Sequence, residues 1–220
     1  MRAKCDKKGE NRRVLFAVFD GRGRINGVLE EWLDRQAQVV MAHRIGQGRA
    51  YPRLDMWRNQ VVDYFLTQTK AAYLCLVDDD MVPVEATAEF LACDADVVVC
   101  SYRNRLGQPC HGGDGEGGCG MMKISRQAAK KMGAPWFAFV ANSAGTDVVM
   151  CECGFFSGKA KNAGFHPVTR GSVGHVAEAV LLPGEDPNDQ AYQIRLLPDL
   201  TAEAECERKY QQHMKDEHNA

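Results

Sequence analysis

The chain has 220 residues, 45% of them hydrophobic and 25% charged, with a formal net charge of -2. That length supports one sizeable core, and a near-neutral balance without a long basic run excludes a protein that binds nucleic acid by neutralising phosphates. The charged start, KCDKKGENRR, has no apolar stretch behind it and no window approaches about 18 apolar residues, so neither a signal peptide nor a membrane span is expected and the expected address is the cytoplasm.

In chain order, Val14 to Phe19 (VLFAVF) is a short, continuous apolar run that ends in DGRGR, the pattern of a strand buried on both faces and running into a turn. From Ile25 to Ala37, residues Ile25, Val28, Leu29, Trp32 and Leu33 share one helical face. QVVMAHR is a second strand, IGQGRAYPR a loop, and Leu54 to Thr69 a second helix with Trp57, Val61 and Phe65 inward. AYLCLVDDDMVP is a third strand, closed by Asp78, Asp79 and Asp80. Pro83 suits the first turn of a helix reaching Ala92, and ADVVVCSY is a fourth strand. This alternation predicts βαβ units, hence a single α/β domain with a mainly parallel sheet flanked by helices.

The second half differs in texture. Gly107 to Gly120 is so rich in glycine that it reads as a loop, of the kind that closes over substrates. MMKI is a strand, Ser125 an N-cap for a helix to Met132, and APWFAF leads into a polar loop, VANSAGTD. A helix from Cys153 to Asn162, closed by Gly164, precedes the extended segment FHPVTRGSVGHV, which carries His175. The expected organisation is a tail over 1–13, one domain over 14–182 and a polar extension over 183–220 with a surface helix from Thr201 to Lys215.

The three aspartates pose the chemical question. Like charges at the end of a buried strand repel one another, and ionising them together is costly unless a cation or hydrogen-bond donors compensate. Open α/β sheets bind ligands outside the carboxyl ends of their strands, where both Asp20 and the aspartate trio fall, a layout that suits a nucleotide with a divalent ion. Neither G-x-G-x-x-G nor G-x-x-x-x-G-K-[ST] is present. The plainer reading makes the trio a helix N-cap cluster before Pro83. Of the nine cysteines, Cys75, Cys93 and Cys100 lie in apolar runs and read as small core residues. The sharper alternative, a zinc site from Cys110, His111, Cys119, Cys151 and Cys153, lacks paired C-x-x-C spacing.

Taken together and in order, WRNQVVDYFL, AYLCLVDDDMVP, DADVVVCSYRNR, CGMMKISRQAAKKMGAPWF, and CECGFFSGKAKNAGF followed by GSVGH resemble the GT-A fold glycosyltransferases. The small bacterial or phage-type inverting members are the nearest in pattern, over about Val14 to Val176. The resemblance implies a Rossmann-like GT-A fold, a nucleotide-diphosphate sugar as donor and Mn2+ or Mg2+ as cofactor. It implies Asp78 and Asp80 as the D-x-D pair, with Asp80 on the metal and Asp78 on the ribose or a metal-bound water, and His175 as a third metal ligand. Asp79 faces the other way on an extended segment and is counted with the nucleotide-side candidates Asp20, Arg58, Asn59 and Arg103. Arg105 is a further phosphate contact. Each arginine reads equally as a surface ion-pair partner, the lone His175 as a hydrogen-bonded loop residue, and Trp136 and Phe137 as either a sugar platform or core.

An inverting transfer needs a base for the acceptor's proton. The family carries Glu-Asp at the start of the late helix, where this chain has Glu152-Cys153. A neutral thiol is a poor oxygen base, so Glu152, and after it Asp147, are the catalytic candidates; both also read as charges favoured at a helix N-terminus. The expected function is transfer of a sugar, with inversion, to an acceptor that no motif identifies: a saccharide, a lipid-linked glycan, a protein or modified DNA. The alternatives are a weakened relative that binds nucleotide sugars without turnover, and a nucleotidyltransferase, whose triphosphate loop DGRGRING matches only in part.

Overall fold

A computed structural model describes residues 14–20, 25–36, 38–42, 53–102 and 118–175. Arg103, Arg105, Cys110, His111, most of the glycine-rich loop, the N-terminal tail and the C-terminal extension lie outside the described residues.

Nine strands and five helices account for the described regular structure. The strands are β1 (Val14–Phe19), β2 (Val39–Met41), β3 (Tyr73–Asp78), β4 (Met81–Pro83), β5 (Val97–Ser101), β6 (Met121–Ser125), β7 (Val140–Ala141), β8 (Val148–Met150) and β9 (Val168–His175). The helices are α1 (Gly27–Leu33), α2 (Leu54–Gln68), α3 (Thr87–Ala92), α4 (Arg126–Met132) and α5 (Glu152–Asn162). Seven strands form one sheet in the order β2-β1-β3-β6-β5-β9-β4, while β7 and β8 form a separate hairpin. β1 runs parallel to β2 and β3, and β5 parallel to β9; β6 is antiparallel to both its neighbours and β4 is antiparallel to β9.

The apolar runs lack polar alternation because both faces of the sheet are covered. On one face Leu15, Ala17, Phe19, Leu74 and Leu76 join Val61 and Phe65 of α2, Ala128 and Ala129 of α4, and Phe156 and Ala160 of α5. On the other, Phe16, Val18, Cys75 and Val77 meet Leu29 and Leu33 of α1 and Phe90 of α3. This is the α/β architecture expected from the sequence, in a Rossmann-like sheet consistent with the GT-A fold.

Two cations, buried Lys123 and half-buried Arg126, fasten helix ends to the sheet. Lys123 on β6 is 2% exposed and donates to the carbonyls of Phe90, Leu91 and Cys93 at 3.0, 2.7 and 2.8 Å, completing the C-terminus of α3. Arg126 does the same for α2, donating to the carbonyls of Phe65, Leu66 and Thr69 at 2.6, 3.0 and 3.1 Å. Unpaired carbonyls at a helix end are natural acceptors for such groups.

Several boundaries differ from those the sequence suggests. Pro83 does not open a helix: it ends β4, whose residues Met81, Val82 and Pro83 pair with His175, Gly174 and Val173. β4 lies at the sheet edge, where a residue lacking an N–H is tolerated, and α3 begins only at Thr87. The Thr87 hydroxyl accepts from Val84 N at 2.9 Å and donates to Ser172 O at 2.8 Å, tying this turn to β9. The loop VANSAGTD is the turn of the β7–β8 hairpin, in which Asn142 N donates to Asp147 O at 2.9 Å. α1 stops at Leu33, short of Ala37.

Candidate nucleotide and cation site

Because β1 and β3 are parallel and pair Phe19 with Asp78, their carboxyl ends share one rim. Asp20 and the trio Asp78, Asp79 and Asp80 therefore gather there, and Asp20, Asp79 and Asp80 are all buried. β6 enters the sheet at the same rim, with Asp78 N donating to Gly120 O at 2.8 Å. β9 ends there too: its last residue, His175, places Nε2 3.2 Å from Asp80 Oδ2. Sequence positions 80 and 175 meet because β4 and β9 are antiparallel neighbours in the register Met81 to His175.

The backbone around the acids is held from the α1 side. Asn26 caps α1, its Oδ1 accepting from Leu29 N at 2.9 Å, while its Nδ2 donates to Asp79 O at 3.1 Å and to Met81 O at 2.9 Å. The same residue thus starts a helix and fixes the acidic turn. Sequence reasoning missed it, although an asparagine just ahead of an amphipathic run is a readable cap signal. Tyr102 was missed as well: its hydroxyl accepts from Gly120 N at 3.3 Å and its ring meets that of His175 edge-on at 5.8 Å. No periodicity announces that contact, which joins the ends of β5, β6 and β9.

Arg58 turns inward from α2 to the rim. It is 1% exposed, and its Nη2 donates to both carboxylate oxygens of Asp78, at 2.9 and 3.1 Å. Its Nη1 donates to Glu152 Oε1 at the start of α5 and approaches Cys153 Sγ at 4.0 Å. The rings of Phe19 and Phe137 lie 5.6 and 5.8 Å from the guanidinium carbon. Burial opposes the charge on Arg58, but the surrounding acids, Asp78 first, hold the guanidinium well above its usual range. Burial pushes the Asp78 carboxyl up to about 6; Arg58 pulls against that shift, and Asp80 and Glu152 add to it.

The remaining candidates divide. Asn59, next to Arg58, serves the scaffold: its Oδ1 accepts from Trp136 N and Phe137 N at 2.8 and 3.1 Å, and its Nδ2 donates to Phe137 O at 2.7 Å. Trp136 and Phe137 are core residues, Trp136 Nε1 donating to Ala129 O at 2.7 Å and Phe137 stacking on Phe156 at 4.8 Å. Asp147 is exposed on the β7–β8 hairpin and accepts from Val148 N at 2.9 Å. Glu152 is 6% exposed, its Oε1 also receiving the Cys153 thiol at 3.4 Å. The Cys153 thiol is pushed well above its usual range, first by its hydrogen bond with Cys119 and then by burial, against a lowering contact from Cys151. As a neutral thiol it cannot serve as an oxygen base.

No family model and no curated protein matches the chain. Among solved structures it is similar to A197 from STIV, with a TM-score of 0.50 and 18% identity over 76% of this chain and 86% of that one. It is also similar to a Drosophila beta-1,4-galactosyltransferase 7 mutant in complex with manganese, UDP-Gal and xylobiose, with a TM-score of 0.49 and 14% identity over 74% of this chain and 70% of that one. The likeness to A197 is one of fold. Among the described residues, no helix is long and apolar enough to cross a membrane.

Proposed function

We propose that the chain is a metal-dependent glycosyltransferase that moves a sugar from a nucleotide-diphosphate donor to an acceptor hydroxyl. The observation that carries this reading is the contact of Asp80 with His175 at the shared carboxyl rim of β1 and β3. Asp80 Oδ2 and His175 Nε2, 3.2 Å apart, are two donors of the kind Mn2+ or Mg2+ takes, at a rim that also carries the buried Asp79 and Asp20. Once bound, such a cation neutralises diphosphate charge as the sugar leaves.

The chain's own residues then divide the work. Asp80 and His175 hold the cation. Asp78 gives both oxygens to Arg58, so its part is to orient a ribose hydroxyl or a water rather than to bind the ion as a free carboxylate. Asp20 faces the base or ribose from the end of β1. Arg58 orients Glu152 in turn, and Glu152 takes the acceptor's proton, since Cys153 stands where the resemblance puts an aspartate. The test is incubation with a panel of nucleotide sugars and Mn2+ while following released nucleoside diphosphate. Release with at least one donor, lost in Glu152→Gln, is expected.

One observation favours a second reading. Glu152 is 6% exposed and engaged by both Arg58 and Cys153, which suits a scaffold role as well as a base. On that reading the protein binds nucleotide sugars without turnover. Binding with no release from any donor would select it.

A further inference from the structure

Tyr102 directly follows β5, and the ends of three strands meet on it. Its ring stands edge-on to the imidazole of His175, the last residue of β9, with centroids 5.8 Å apart and planes at 78°. Its hydroxyl accepts from Gly120 N at 3.3 Å, just ahead of β6. The same backbone presses on the ring: a Cβ at Gly118 would come 2.8 Å from Tyr102 Cε1, and one at Gly120 would come 2.9 Å from both Tyr102 Cζ and Met81 Cε. Neither glycine has a positive φ, so the backbone there would accept alanine and the neighbouring side chains are what exclude it. Met81 pairs with His175 across β4 and β9, and Tyr102 packs against the buried cluster to which Met81 belongs.

We infer that Tyr102 is the positioning residue of the cation site: its ring, wedged against Gly118 and Gly120, holds the His175 imidazole with Nε2 toward Asp80. The inference rests on the reading of Asp80 and His175 as cation ligands and adds a residue that touches neither cation nor nucleotide. It also gives the two glycines a task. They are the only residue type that leaves the tyrosine room to lie where it does.

A histidine side chain turns about its two bonds between backbone and ring, and the orientation that aims Nε2 at Asp80 is the one that lets a single cation meet both groups. Apparent affinity scales with the fraction of time a ligand spends in its competent orientation, so raising that fraction from about a tenth to near one strengthens binding about tenfold. An edge-to-face aromatic contact supplies about twofold to tenfold of such a preference. The crowding at Gly118 and Gly120 keeps the tyrosine from yielding, and its hydrogen bond to Gly120 N ties the ring to β6. The position of the ring is therefore set by the sheet, independently of the imidazole it steadies. Partners that orient a metal-binding histidine are commonly worth about 10- to 100-fold in metal affinity.

The experiment titrates the full chain with UDP and GDP in the presence of Mn2+. Tyr102→Leu should weaken Mn2+-dependent nucleotide binding roughly tenfold, and Tyr102→Phe, which keeps the ring, should recover it to within about threefold of wild type. Gly118→Ala, whose added methyl meets the tyrosine ring, should weaken binding in the same direction and carries the test if Tyr102→Leu does not fold. In a His175→Ala background, Tyr102→Leu should cost no more than about twofold further, because the residue it positions is gone; a ring that merely filled space would lower affinity by the same factor in both backgrounds. A second readout needs no metal: the imidazole proton resonances of His175 should move in Tyr102→Leu and stay near their wild-type positions in Tyr102→Phe. Unchanged affinity in Tyr102→Leu, equal losses in the two backgrounds, or unmoved His175 resonances overturn this inference alone, since wild-type binding that requires Mn2+ would still sustain the cation reading. Wild-type protein that binds neither nucleotide in a Mn2+-dependent way overturns both.

Discussion

Arg58 holds Asp78 in a two-oxygen grip, Nη2 donating at 2.9 and 3.1 Å, while the other arm of the same guanidinium holds Glu152. One buried cation thus joins the acidic end of β3 to the first turn of α5. Neither acid is compensated by solvent alone, so both depend on the arginine.

Replacing Arg58 with methionine keeps much of its volume and removes the charge, leaving two acids at the rim without their common partner. Breaking a buried pair from one side costs about 3–5 kcal/mol. Chemical unfolding should show a loss of that order for Arg58→Met. Arg58→Lys, with a point charge that cannot reach both acids in a fork, should fall between it and the wild type.

The Asp78 carboxyl sets a pH dependence. It titrates near 3.8 in an unfolded chain and at about 6 in the folded protein, because burial disfavours its charge. Over that interval the folded state binds the extra proton, so the Asp78 contribution to stability is complete below the interval and is lost as pH rises through it. Unfolding free energies measured across the interval should show this downward slope in the wild type and a flatter profile in Asp78→Asn.

Two glycines separate backbone strain from crowding. Gly133 and Gly171 both have positive φ, 68° and 63°. A Cβ at Gly133 would meet nothing within 4 Å, whereas at Gly171 it would lie 2.2 Å from Ala86 O. Gly133, at φ 68° and ψ 165°, sits in a region reserved for glycine, so Gly133→Ala should cost about 1–3 kcal/mol, the conformational penalty alone. Gly171→Ala should cost clearly more, because β9 must move away from the turn before α3. Paired thermal unfolding curves compare the two.

Asn26 and Asn59 make opposite predictions for cation binding. Asn26→Ala removes the α1 cap, worth about 1 kcal/mol, together with the two bonds that fix the carbonyls of Asp79 and Met81. Asn59→Ala releases the backbone of Trp136 and Phe137. Both should lower stability, but Mn2+ affinity, followed by calorimetry, should fall only in Asn26→Ala.

The fold was legible where the chemistry is local. VLFAVF and the run into Asp78 announce strands covered on both faces, and Ser125 announces the helix that follows it, its hydroxyl accepting from Ala128 N at 3.0 Å. Pro83 misled because its fixed φ suits a helix start and a sheet edge alike, and only the pairing of β4 with β9 decides between them. At the site, the aspartate trio stood out by composition. The inward turn of Arg58, the structural use of Asn59 and the convergence of Cys119 with Cys153 depend on contacts between distant segments, which have no spacing to read. The antiparallel placement of β6, which brings Cys119 and Gly120 to the rim, is one such contact.

The account turns on a divalent cation held by Asp80 and His175, and calorimetric titration of UDP and GDP with and without Mn2+ tests it most directly. Wild-type protein should bind one of the two nucleotides with Mn2+ and lose that binding in EDTA, and Asp80→Asn and His175→Ala should each weaken it roughly tenfold or more. Nucleotide binding that is indifferent to Mn2+, or unchanged in Asp80→Asn, would contradict it.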